Sequence, residues 1–339
     1  MRIVVVLASA FLLVGCPQDS CDTGTNPTDI TTTTTTTTTE DDSDSASVER
    51  CDREPNLHNI HIFTFFAAPL TYDSRLGWKQ HENFEQQYIT RVSRYMLERG
   101  FNTARIGAET FGWCNADTFY LPCGPEPGTD EWRERLIGTL EITARIPGLY
   151  VQLIPTFTIK GEYHRDRILD AVHETVRIVQ SRGYRHVIWS AYNEFWHPST
   201  LETDESMLIS VLQALPHPRG ADFPDNGGDG SSWRGVKKDA MRYCDYAAFH
   251  PSRNPEPTVE AYRATMGLVG KPVIFDETVC WLAEHEISMV NLGRGLYATT
   301  QEQVVKQQHA LRAAGAGCSF HALWLFSYDE RIDWAPRCP

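Results

Sequence analysis

The sequence predicts an α/β chain folded as a single (β/α)8 barrel of the TIM type, with the last outer helix reduced or missing. Three observations lead there. From Cys51 to Pro339, short apolar, β-branched and aromatic runs alternate with longer amphipathic stretches, the pattern of parallel strands joined by crossover helices. That stretch is about 290 residues long, close to the usual size of such a barrel and enough to bury a large core. No glycine-rich phosphate loop follows the first strand, so the mark of an open nucleotide-binding sheet is missing.

The elements follow in order. Asn59–Phe66 reads as the first strand, and Glu82–Arg99 as a helix with Tyr88, Val92, Tyr95 and Met96 apolar. Gly100 ends it, as expected of the residue just past a helix. Asn102–Ile106 is the second strand, Asp130–Arg145 the second helix and Leu149–Phe157 the third strand. Arg165–Arg182 carries Ile168, Leu169, Val172, Val176 and Val179 with a 3.6-residue period, and stops at Gly183. His186–Tyr192 is the fourth strand and Thr203–Leu215 a helix. The fifth strand falls near His217–Phe223, where the pattern is weakest, and Ser232–Arg242 is a helix. Tyr246–His250 is the sixth strand, Val259–Leu268 a helix and Val273–Asp276 the seventh strand. Thr300 and Gln303 have capping-box spacing for a helix reaching Ala314, and Ser319–Phe326 is the eighth strand.

Ahead of the barrel, Met1–Cys16 has the form of an export signal: Arg2, an apolar run from Ile3 to Leu13, then Leu13-Val-Gly-Cys16. The run is too short to span a bilayer. Its ending resembles a bacterial lipobox, which implies cleavage before Cys16 and diacylglycerol on the Cys16 thiol. The chain would then be anchored to the lipid of the cell envelope without crossing it. Residues 17–50 contain the run Thr31–Thr39 and many acidic and hydroxyl side chains, a composition suited to a disordered tether. Residues 1–50 carry 8 acidic and 2 basic side chains, leaving 36 acidic and 29 basic in residues 51–339. A mildly acidic domain argues against nucleic acid as a partner. Nine cysteines in an exported chain point to disulfides. Cys114 and Cys123 close a short loop, Cys51 and Cys338 could join the two ends of the domain, and the remaining connectivity stays open. Nothing indicates a cofactor, a metal or an oligomer, so a cofactor-free monomer is expected.

In a barrel of this kind the active site lies at the C-terminal ends of the strands. Arg105 falls on strand two, Asn193 and Glu194 end strand four, His250 ends strand six, Glu277 ends strand seven and Trp324 lies on strand eight. Two glutamates facing each other across one mouth are what glycoside hydrolysis needs. One protonates the leaving oxygen, and the other attacks or supports the anomeric carbon.

These marks together resemble the clan-A glycoside hydrolases, the barrel superfamily that includes the cellulase and mannanase families. Gly270-Lys-Pro-Val-Ile-Phe-Asp-Glu277 is similar to their nucleophile strand, and Gly100-Phe-Asn-Thr-Ala-Arg105 to their second strand. The resemblance covers about residues 58–328. It implies a retaining enzyme for β-linked poly- or oligosaccharide, with Glu194 as general acid/base and Glu277 as nucleophile. Asn193 would bond the sugar 2-hydroxyl, Arg105 would hydrogen-bond Glu277 and lower its pKa, and Trp324 would form the floor under the sugar ring. His250 reads either as a sugar contact or as a barrel-rim histidine. Two places depart from the pattern. Pro251-Ser-Arg follows His250 without the usual tyrosine, and Thr278-Val279-Cys280 follows Glu277 where an aromatic-glycine pair is common. They leave the substrate open and keep in view a catalytically inactive, carbohydrate-binding envelope lipoprotein. A metal-dependent amidohydrolase barrel using His61, His250 and Asp329 is a third reading, but strand one lacks the His-X-His that such a site needs.

Overall fold

The computed structural model describes residues 55–66, 82–108, 127–155, 165–192, 205–224, 238–250, 258–276, 278, 280–281, 297–298, 300–322 and 334–339. All of them belong to the unit Val48–Pro339. The signal, the tether, Cys16, Cys51 and the Cys114–Cys123 loop lie outside the described residues. So do Asn193, Glu194, Glu277, Trp324 and Asp329.

Seven strands pair in parallel in chain order: β1 (Ile62–Phe66), β2 (Thr103–Gly107), β3 (Tyr150–Ile154), β4 (Val187–Ser190), β5 (Arg219–Pro224), β6 (Tyr246–His250) and β7 (Val273–Phe275). Two two-residue strands that the sequence pattern does not reveal follow, β8 (Cys280–Trp281) and β9 (Tyr297–Ala298), and then β10 (Ser319–Ala322). β10 is the eighth barrel strand and lies beside β1, with Ile62 opposite Ser319. The seventh run joins the two edges of the sheet. β7 pairs with β6, and β8, five residues on, pairs with β10. Between them the buried Thr278 donates its hydroxyl to the Ser319 carbonyl at 3.1 Å. Eight parallel strands thus make a nearly closed (β/α)8 barrel.

The outer helices are α1 (Glu82–Glu98), α2 (Asp130–Ala144), α3 (Arg165–Ser181), α4 (Glu205–Ala214), α5 (Lys238–Met241), α6 (Val259–Val269) and α7 (Gln301–Ala314). Their starts follow side-chain chemistry. The hydroxyls of Thr129, Thr258 and Thr300 each accept a backbone N–H in the first turn of α2, α6 and α7, and Thr300 with Gln303 completes the expected capping box. None of these helices is long and apolar enough to cross a membrane, among the described residues. After β10 the described residues are Trp334–Pro339, which have no regular secondary structure, and residues 323–333, where an eighth outer helix would begin, lie outside the described residues.

Strand alternation divides the core in two. Phe63, Ala104, Val151, Leu153, Val187, Trp189, Ala221, Phe223, Phe249 and Phe320 pack outward with the helices. Ile60, Ile62, Ile188, Tyr246, Ala248 and Ile274 fill the barrel itself. Gly220 serves this inner layer, because a Cβ there would stand 2.6 Å from the Tyr246 ring. The Tyr246 hydroxyl donates to the Trp189 carbonyl at 2.8 Å and accepts from Gln152 Nε2 at 3.2 Å. Burial raises its pKa well above the phenol value.

One cysteine pairing differs from the expectation. Cys338 is bonded to Cys318, not to Cys51. Cys318 immediately precedes β10, and the chain end returns past it, which brings their Cα atoms to 5.7 Å. Cys244 is a buried free thiol, and burial pushes its pKa up to about 12.

Candidate active site at the barrel mouth

Above the apolar layer the barrel interior turns polar. Arg105 on β2, Ser190 at the end of β4, Asp222 on β5, His250 at the end of β6 and Asp276 just after β7 meet there. All are buried, and Arg105, Asp222 and Asp276 have no exposed side-chain surface. Alternation explains how the sequence delivers them. Ala104 and Ile106 flank Arg105, Ala221 and Phe223 flank Asp222, and all four face the helices.

The geometry centres on the guanidinium. Arg105 Nη2 donates to Asp222 Oδ2 at 2.6 Å, and Nε lies 3.3 Å from Asp276 Oδ2. Ser190 Oγ donates to the other oxygen of Asp222 at 2.8 Å. His250 Nε2 lies 3.4 Å from Arg105 Nη2, from Asp222 Oδ2 and from Asp276 Oδ1. If that nitrogen carries a proton it points it at the carboxylates, and if bare it faces the guanidinium as an acceptor. Burial alone would raise the Asp222 carboxyl, but Arg105, His250 and Ser190 together outweigh it, holding the pKa below the usual carboxylate range.

Asp222, His250 and Asp276 bring ligand-type atoms within 4.8 Å of one another, a spacing that could suit a metal ion. Arg105 already supplies the cation between them, and its charge would repel a divalent ion. A second such group, His61 with Cys318 and Cys338, has its sulfurs tied in the disulfide. His61 precedes β1 and its Nδ1 accepts the Cys318 N–H at 3.0 Å, so it stands at the opposite end of the barrel from His250. That separation removes the His61–His250 pair on which the amidohydrolase reading depended.

Of the residues expected to carry chemistry, the structure brings Arg105 and His250 together. Glu194, Glu277, Asn193 and Trp324 lie outside the described residues, although Asp276 directly precedes Glu277 and Ser190 stands three positions before Asn193. Asp222, Asp276 and Ser190 were not expected. Asp276 was visible inside the Gly270–Glu277 segment and carried no assigned role.

No family model matches the sequence, and no curated protein matches it. Solved structures do. A glycoside hydrolase family 5 protein from Bacteroides vulgatus is 11% identical, with 83% of this chain and 61% of that one covered and a TM-score of 0.51. What they share is the barrel. A second structure described as a glycoside hydrolase is 12% identical over 83% of this chain and 65% of that one, at a TM-score of 0.49. An endo-1,4-β-mannanase from Rhizomucor miehei is 12% identical over 77% and 85%, at 0.48. The chain therefore spans less than two thirds of the first two structures it matches, and at these identities the likeness is one of fold.

Proposed function

We propose that this chain is a retaining glycoside hydrolase acting on β-linked poly- or oligosaccharide. The observation that supports the reading is the buried guanidinium of Arg105. It lies at the C-terminal ends of the barrel strands beside Asp276, the residue directly before Glu277. A charged group without solvent, at the end of the barrel where such folds do chemistry, suits a role toward charge that develops during a reaction. In this reading Glu277 attacks the anomeric carbon as Glu194 gives its proton to the glycosidic oxygen, so the aglycone leaves as an alcohol. Glu194, now a carboxylate, takes a proton from water as that water displaces Glu277 and releases the sugar with its configuration retained. Asn193, His250 and Trp324 contact the sugar, and the diacylated Cys16 holds the enzyme at the cell envelope. No step calls for a cofactor.

The test is a panel of β-linked polysaccharides and aryl β-glycosides, with products followed by proton NMR. The expected result is turnover with retained anomeric configuration, lost by about 10²-fold or more in Glu194→Gln and in Glu277→Gln. Inversion would rule out the double displacement. Sugar binding without turnover would favour the non-catalytic carbohydrate-binding lipoprotein.

A further inference from the structure

Arg105 has a long, flexible stem, yet in this structure its head group is held from two sides. Asp222 takes Nη2 at 2.6 Å, Asp276 stands 3.3 Å from Nε, and Ser190 braces Asp222 from behind at 2.8 Å. The chain of contacts crosses the barrel from β4 through β5 to β2 and β7, so four strands fix one guanidinium plane. With Nη2 hydrogen-bonded and Nε facing the Asp276 carboxylate, the head group is held in one orientation. We propose that Asp222 is a positioning residue, which with Ser190 and Asp276 locks Arg105 in the orientation that the Glu277 carboxylate requires. The proposal rests on the glycoside hydrolase reading, and it assigns a role to a strand-five carboxylate that the catalytic pair alone does not call for.

The chemistry favours a clamp over a second catalytic acid. Asp222 has no exposed surface, its carboxylate is committed to Arg105 and Ser190, and its pKa is held low, so it is a poor proton donor. What a fixed guanidinium offers is charge held in place at the barrel mouth before the reaction, with no reorganisation needed during it.

Two readouts on the full-length protein test this. The first is the Arg105 Nε–H signal in a proton–nitrogen NMR spectrum, assigned by its loss in Arg105→Lys. It should exchange slowly with water in the wild type and measurably faster in Asp222→Asn and Ser190→Ala. The second is kinetic. Asp222→Asn should lower kcat on the order of ten- to a hundred-fold, because a misaimed group costs rate. KM should stay within about twofold, since ground-state binding is not the affected quantity. Ser190→Ala should move both readouts in the same direction by less. A folded Asp222→Asn with wild-type kcat and unchanged Nε–H exchange would overturn the proposal. If Asp222→Asn does not fold, the same null result in Ser190→Ala overturns it. The glycoside hydrolase reading fails separately, if Glu277→Gln turns over as fast as the wild type, because the Nε–H signal reports on the clamp without any substrate.

Discussion

A carboxylate with no exposed surface stays ionised at Asp222 because Arg105, His250 and Ser190 together offset what burial costs it. That balance has a consequence for pH. The folded state holds Asp222 below its ordinary value, whereas in the unfolded chain an aspartate titrates near ~3.9. The stabilisation from this group is therefore complete above about pH 5 and is lost as pH falls through the folded value. Urea midpoints measured at falling pH should show Asp222→Asn destabilised at neutral pH, with the gap to wild type narrowing below about pH 4. A constant gap would mean that Asp222 contributes packing and not charge. Gly220 supports the layer beneath. A methyl group there would meet the Tyr246 ring at 2.6 Å, so Gly220→Ala should cost about 1–3 kcal/mol in urea unfolding. Arg105 is legible in the sequence because Ala104 and Ile106 give it clear strand alternation. Asp222 is not, because Arg219-Gly-Ala-Asp-Phe-Pro mixes a glycine, a proline and charges, which makes the fifth strand the weakest pattern in the chain and leaves no clear inward face. Its burial is imposed by the neighbouring strands, and no local pattern states it.

Between elements, the α2–α3 contact carries a charged triad. Glu174 Oε1 accepts from Arg133 Nε at 2.7 Å and from Arg177 Nη2 at 2.7 Å. Hydrogen bonding from Arg177, then from Arg133, overrides partial burial and holds the Glu174 carboxyl at about 2 against an ordinary value of 4.5. Because the folded value is depressed, its contribution is present above pH 4.5 and lost as pH falls toward about 2. Carbon NMR titration of the Glu174 carboxyl should place it well below the ordinary glutamate value, and Arg177→Gln should move it up. High salt should reduce the effect, since two of the three partners lie near the surface. Elements of this kind are the most legible part of the fold. Gly100 and Gly183 mark helix ends with positive φ, and Thr300 with Gln303 marks a start, because caps are local chemistry. The two-residue strands Cys280–Trp281 and Tyr297–Ala298 are not legible. Strands that short have no periodicity to show and exist only through their pairing partners.

Over the whole molecule, the two ends of the barrel carry different duties. The polar cluster stands at the C-terminal ends of the strands, while the chain terminus is fastened near their N-terminal ends. There Cys338 is bonded to Cys318 and its N–H donates to the Arg99 carbonyl at 2.8 Å. Arg99 Nη1 donates to the Ala335 carbonyl at 2.7 Å, and the Trp334 ring stands edge-on to Phe320 at 6.1 Å. Gly100, at φ +89°, also gives way to this tail, since a Cβ there would lie 3.1 Å from the Cys338 Cβ. The tail thus ties the end of α1 to the start of β10, next to β1, where the first and last strands of the barrel meet. A disulfide closing a loop of 20 residues contributes about 3 kcal/mol, chiefly by restricting the unfolded chain. Cys338→Ser should therefore lower Tm by roughly 5–10 °C for a domain of this size. Well below that temperature kcat should be unchanged, because conserving the barrel's lower rim and performing chemistry at its mouth are separable in such folds. Scanning calorimetry and turnover assays on the same sample would check both halves. A loss of kcat in a fully folded Cys338→Ser protein would show that the tail is coupled through β10 to the mouth, and the division of duties would fall.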